Sequence, residues 1–138
     1  MQIADIQDTQ ITTRDTVEFI AAALDKDKPD LAVFTGDQIK GYGVTLLLGD
    51  REENFKKAFS NFLKPVVDRG IPFTFCFGNH DAQAFGISKE KQFEIYKSFP
   101  GCLAERGDSG LEGLANHNIL IKDSKGERDI FNIYLIDS

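Results

Sequence analysis

Short apolar runs, each cut off by a polar cluster, alternate along the chain with longer stretches in which apolar residues recur every three or four positions. "QIAD" (2–5) reads as a strand entered midway, as in a piece trimmed from a longer chain. After the polar loop "IQDTQITT", where Thr12 and Thr13 are N-cap candidates, Val17, Ile20, Ala21 and Leu24 recur at helical spacing. That helix is expected to stop before Pro29, because a residue preceding proline is pushed out of the helical region. "DLAVFTGD" (30–37) and "IPFTFCFGN" (71–79) are compact apolar runs bounded by Pro and Gly, the pattern of buried strands. Between them, "REENFKKAFSNFLKPVVDRG" puts Phe55, Phe59, Phe62, Leu63 and Val66 on one face, a core stripe. Its first turn is acidic, which suits the helix dipole, and Pro65 predicts a kink. Gly70 followed by Pro72 predicts the stop.

The order β-α-β-α-β with all-apolar strands predicts an α/β fold with a parallel sheet and right-handed crossovers. Beyond it, "SKEKQFEIYKSFP" predicts a helix started by Ser88, and "ANHNILIKD" with "DIFNIYLID" an antiparallel hairpin turning at "SKGER". No linker, internal repeat or low-complexity tract interrupts this order.

Composition and charge narrow the picture. The 138 residues, 41% hydrophobic and 28% charged, suit one domain with a real core. A net charge of −6 without a basic patch argues against holding nucleic acid through its phosphates, though not against a small phosphorylated substrate. Cys76 and Cys102 are too few for a disulfide framework, and Cys76, alternating with Phe75 and Phe77, reads as a packed, reduced thiol. There is no membrane-span pattern and no targeting segment, so the default expectation for compartment is cytoplasmic; oligomeric state is left open.

Ligands collect beyond the carboxyl ends of the strands in a parallel sheet. Each of the three strands ends in a polar cluster: Asp5-Ile6-Gln7-Asp8, Gly36-Asp37-Gln38 and Gly78-Asn79-His80-Asp81. Asp5, Asp37 and Asn79 offer oxygen ligands suited to hard divalent cations, and a carboxylate such as Asp37 can bridge two of them. Two such ions lower the pKa of a bound water and clamp a phosphoryl group for in-line attack. His80 is then free to act on the substrate as a hydrogen-bond donor or acid, with Asp81 placed to orient it.

At these residues a family resemblance appears. "DIQ", "GDQ" and "GNHD" resemble, in order and spacing, the first three motifs of the calcineurin-like metallophosphoesterases, the superfamily that includes the purple acid phosphatases. "DLAVFTGD" and "PFTFCFGNHD" are similar to the family's strand-plus-motif phrases, and "IYLIDS" resembles the segment that follows in a fungal and bacterial purple-acid-phosphatase-like branch. The resemblance spans nearly the whole chain. It implies that Asp5 binds a first metal, Asp37 bridges both, Asn79 binds the second and His80 is the catalytic imidazole. It also implies half of a four-layer αββα sandwich: residues 1–138 as a single partial domain, holding most of one sheet and the start of the other.

Two departures qualify the carry-over. The family's first motif is usually Asp-x-His, whereas here the third position is Gln7, which reads equally as a weaker oxygen ligand or as a loop residue. The family's later histidine motifs, one of Gly-His-x-His type, have no counterpart, and the neighbours of His117 fit none of them. The implied cofactors are two divalent ions, manganese, iron or zinc, with magnesium also compatible with a Gln7 ligand. The implied partner is a phosphorylated small molecule or a phosphodiester. The expected function is metal-dependent phosphoester hydrolysis by the parent protein, with the chain alone expected to be inert and prone to associate. The alternative is a non-catalytic interaction scaffold on the same fold. A haloacid-dehalogenase reading of "DIQDT" fails, because Asp5 and Asp8 are three apart where that chemistry needs two.

Other features take bland readings. Gly49-Asp50 repeats the dipeptide of Gly36-Asp37, but Asp50 precedes a helix and reads as its N-cap. Asp8 and Gln38 read as solvated loop residues, and His117 as a surface or capping histidine.

Overall fold

The computed structural model describes residues 1–11 and 14–137, so the expected caps Thr12 and Thr13 lie outside the described residues. The elements run β1 (Gln2–Ile3), α1 (Arg14–Asp27), β2 (Ala32–Thr35), α2 (Arg51–Asp68), β3 (Phe73–Cys76), α3 (Lys89–Lys97), β4 (His117–Lys122) and β5 (Asp129–Leu135), with short 3-10 turns at Val44–Leu47 and Asp81–Gln83. β1, β2 and β3 pair in parallel in that order, and β4 with β5 forms a separate antiparallel hairpin. This is the α/β arrangement that the hydrophobic pattern predicts.

The parallel register sets Ala32 beside Phe73 and Phe34 beside Phe75. Strand side chains alternate between faces, so these four share one face, and all are fully buried. α2 lays its Phe stripe on that face: Phe62 meets Phe34 with ring centroids 5.5 Å apart, and Phe59 meets Tyr96 of α3 edge-on at 4.4 Å. Tyr96 in turn stacks on Phe75 at 3.8 Å. α1 packs beside α2 through Ile20 and Leu24. Truncating one of these rings to Ala is expected to cost about 3–5 kcal/mol.

Local signals place the helix ends. Asp50 accepts a hydrogen bond from the Glu53 amide (3.1 Å) and Ser88 one from the Lys91 amide (3.3 Å), so both predicted caps are present. α2 ends in a Schellman arrangement, Gly70 N–H to Val67 O and Ile71 N–H to Val66 O, with Gly70 at φ 63°. The predicted disturbance at Pro65 does not break the helix, which runs uninterrupted to Asp68. Burial of the ring in the core offsets the hydrogen bond that a proline cannot donate.

The other sheet face carries Gln2, Val33 and Thr74 in one row. Thr74 is buried there because His117 reaches it from the hairpin, Nε2 to Oγ1 at 2.6 Å. His117 Nδ1 lies 2.7 Å from Ala115 O, which can only accept, so Nδ1 carries a proton and Nε2 accepts from the threonine hydroxyl. His117 is thus a joint between hairpin and sheet rather than a surface or capping histidine. A second joint is Asp137, buried against Lys89 Nζ (2.7 Å) and the Leu114 amide (2.6 Å). The hairpin leaves Ile130, Phe131 and Tyr134 exposed. No helix among the described residues is long and apolar enough to cross a membrane.

Candidate active site at the strand ends

The loops leaving β1 and β2 do not separate at the strand ends. Asp5 N–H donates to Gly36 O (3.2 Å), Gln7 N–H to Asp37 O (3.0 Å), Asp8 N–H to Gln38 O (3.1 Å) and Lys40 N–H to Asp8 O (2.8 Å). This ladder holds three non-glycine residues in the left-handed region, Asp5 (φ 55°), Gln7 (φ 47°) and Asp37 (φ 56°). Such strain costs about 1–3 kcal/mol per residue and persists only where surrounding bonds impose it. Gln38, expected in solvent, is instead buried beneath the ladder, its Nε2 donating to Gly36 O (2.5 Å) and Ile3 O (3.3 Å). A carbonyl oxygen has two lone pairs, so Gly36 O takes the Gln38 amide in addition to the Asp5 N–H.

The third loop is pressed against the second. A methyl group on Gly36 would sit 2.5 Å from the Gly78 nitrogen, and one on Gly78 would collide with the Asp37 carboxylate. His80 N–H donates to Asp37 Oδ1 (2.8 Å). Asp81, expected to orient His80, instead turns inward: its Oδ2 accepts from the amides of Gly78 (2.7 Å) and Asp37 (2.9 Å), and it is buried. Burial pushes its carboxyl pKa up and the nearby Asp37 charge pushes the same way, while the two amide bonds pull it down. Asp81 therefore ties two loops together. The residue on the imidazole is Gln83, whose Oε1 lies 2.8 Å from His80 Nδ1. Its offset of three along the 3-10 turn is the sequence signal that could have found it. Gln92 braces the turn from α3, Nε2 to Asp81 O at 2.8 Å.

Asp5, Gln7 and Asp37 are thus brought to one rim with His80. Asn79 stands exposed between Gly78 and His80, both tied to the second loop. Asp5 is exposed as well. Gln7 Oε1 accepts from the Tyr42 hydroxyl at 3.1 Å. The donors available to a metal are two carboxylates and two amide oxygens, a hard set that fits manganese, magnesium or iron better than zinc. Among the described residues, no three His, Cys, Asp or Glu side chains gather as a metal-binding group.

The parallel sheet thus presents carboxylate, amide and imidazole groups at its three strand ends on interlocked loops. The chain belongs to the calcineurin-like phosphoesterase family, whose model matches residues 1–137. Its relatives include a protein of Arabidopsis thaliana named "Probable inactive purple acid phosphatase 14", 28% identical over 131 residues, covering 88% of this chain and 31% of that protein. "Probable inactive purple acid phosphatase 28" of the same plant is 33% identical over 137 residues, covering 89% of this chain and 32% of its own. "Phosphatase DCR2" of Saccharomyces cerevisiae is 39% identical over 86 residues, covering 62% of this chain and 13% of its own. The chain spans about a third or less of the length of these curated relatives. No solved structure matches it.

Proposed function

We propose that this chain carries the first three motifs of a metal-dependent phosphoester hydrolase, a phosphatase or phosphodiesterase, and that its substrate is a phosphorylated small molecule or a phosphodiester. Asp5, Asp37 and Asn79, with Gln7, would hold the two divalent ions. Such a pair, when bound, supplies an activated water and neutralises charge on the phosphoryl group. The observation that carries the reading is the bond from the His80 backbone N–H to Asp37 Oδ1, which fixes the chain at His80 beside the carboxylate proposed as a metal ligand. With Nδ1 paired to Gln83 Oε1, His80 Nε2 is the nitrogen left for the substrate, and it protonates the leaving oxygen only from the imidazolium form, in which both ring nitrogens carry protons. Asp81 acts at one remove, holding the loops that carry Asp37 and Asn79. Imidazole ligands from elsewhere in the protein complete the shell, a reading supported by the share of the relatives' length that the chain spans.

The test is hydrolysis of aryl phosphates by the parent protein supplied with manganese or iron. Activity is expected to vanish with a chelator. His80→Asn is expected to lower turnover by about 10²–10⁴-fold on a poor leaving group and less on a good one, with metal content unchanged. Metal-independent turnover would overturn the reading.

A second reading, a non-catalytic scaffold on this fold, draws support from Gln7, whose oxygen already serves Tyr42, and from the printed names of two relatives. It predicts no hydrolysis by the metal-loaded protein.

A further inference from the structure

Tyr42 lies on the loop after β2, outside every motif considered above, yet it touches both sides of the candidate site. Its hydroxyl donates to Gln7 Oε1 at 3.1 Å. Its ring lies 5.2 Å from the His80 imidazole, centroid to centroid, tilted by 57°. Lys40 Nζ lies 5.4 Å from the centroid of the same ring.

The backbone holds this side chain at the rim. Gly43 N–H donates to Lys40 O (2.7 Å), closing a tight turn around residues 41 and 42. Gly41 is packed against Ala84, where a methyl group would sit 2.8 Å from the Ala84 Cα, and its carbonyl accepts from Phe85 N–H (3.4 Å). The turn bearing Tyr42 is therefore fastened to the loop bearing His80 and Gln83. Tyr42 is nonetheless 42% exposed, so burial in a core does not explain its place.

We propose that Tyr42 is a positioning residue of the site: its ring sets the plane of the His80 imidazole, and its hydroxyl sets the amide of Gln7. Gln83 holds Nδ1 of the imidazole and the tilted Tyr42 ring packs beside it, so two contacts restrict the orientation of Nε2. An amide oxygen has two lone pairs, so Gln7 Oε1 can keep the tyrosine bond and still offer the other to a cation, with the orientation imposed from outside. The catalytic consequence rests on the hydrolase reading above; the placement does not.

The test compares Tyr42→Phe, which keeps the ring and removes the hydroxyl, with Tyr42→Leu, which removes both. The first readout is NMR of the metal-free protein. The His80→Asn protein identifies the His80 signals. The imidazole carbon-bound protons of His80 are expected to shift in Tyr42→Leu, which removes the ring current, and to return close to wild type in Tyr42→Phe. The side-chain amide protons of Gln7 are expected to shift in both. Unmoved His80 signals in Tyr42→Leu, or unmoved Gln7 signals in both variants, would overturn the proposal.

The second readout is turnover of an aryl phosphate with a poor leaving group. Tyr42→Leu is expected to lower kcat by about 10–100-fold with KM little changed, and Tyr42→Phe to retain most of it. Equal losses in the two variants would overturn positioning by the ring. A wild-type protein that hydrolyses nothing while the NMR contrast holds would instead count against the hydrolase reading alone.

Discussion

The same dipeptide, Gly-Asp, follows an apolar run at two places in this chain, and the structure uses it in two ways. At Gly49-Asp50 the glycine turns at φ 76° into open space, and Asp50 accepts the Glu53 amide to start α2. At Gly36-Asp37 the glycine turns at φ 92° against the backbone of Gly78. Asp37 follows in a left-handed conformation, its carboxylate held by His80 N–H and its own N–H by Asp81. Asp50 interacts within its own helix turn, whereas His80 and Asp81, which hold the carboxylate and the amide of Asp37, lie more than forty residues away. A dipeptide's chemistry is therefore set by what the third strand brings to it.

The largest expected effect separates the two glycines. Gly36→Ala combines a disfavoured φ with backbone overlap at 2.5 Å and is expected to destabilise the protein by about 3 kcal/mol or more. Gly49→Ala has only the disfavoured φ and is expected to cost about 1–2 kcal/mol. Denaturant midpoints of the two variants decide this, and equal losses would mean that the second and third loops are not in contact.

A smaller effect concerns Asp81, the carboxylate beneath Asp37. Burial raises its pKa above the ordinary 3.8, so folding favours its protonated form. Its contribution to stability is then fully present below the unfolded value and is lost as pH rises through the folded one. Asp81→Asn keeps an oxygen that can accept both amides and removes the titration. In chelator, wild type is expected to gain stability relative to Asp81→Asn as pH falls from 7 toward 4. A difference that stayed constant with pH would place Asp81 in solvent.

The fold was largely legible in the sequence because its signals are local. The apolar runs around Phe34 and Phe75, the Phe55-Phe59-Phe62 stripe, the caps Asp50 and Ser88 and the stop at Gly70 each depend on a few neighbouring residues. At the rim, the motifs named Asp5, Gln7, Asp37, Asn79 and His80, and the structure brings their loops together. What sequence reasoning missed depends on partners distant in the chain. Gln38 looks like a loop residue until β1 and β2 leave Ile3 and Gly36 carbonyls above it, and Tyr42 meets Gln7 and His80 only after both loops fold back. Asp81 reads as the partner of the imidazole because it is adjacent in sequence, but adjacency does not reveal the Gly78 and Asp37 amides that donate to its carboxylate.

We propose that Asp37, unlike Asp50, holds metal for phosphoester hydrolysis. Asp37→Asn and Asp50→Asn make the same change in the same dipeptide, and asparagine caps a helix about as well as aspartate. The measurement is manganese binding and aryl phosphate turnover by wild type and both variants. Asp37→Asn is expected to weaken binding and cut turnover by orders of magnitude, with Asp50→Asn close to wild type in both. Normal metal binding and turnover in Asp37→Asn would contradict the account.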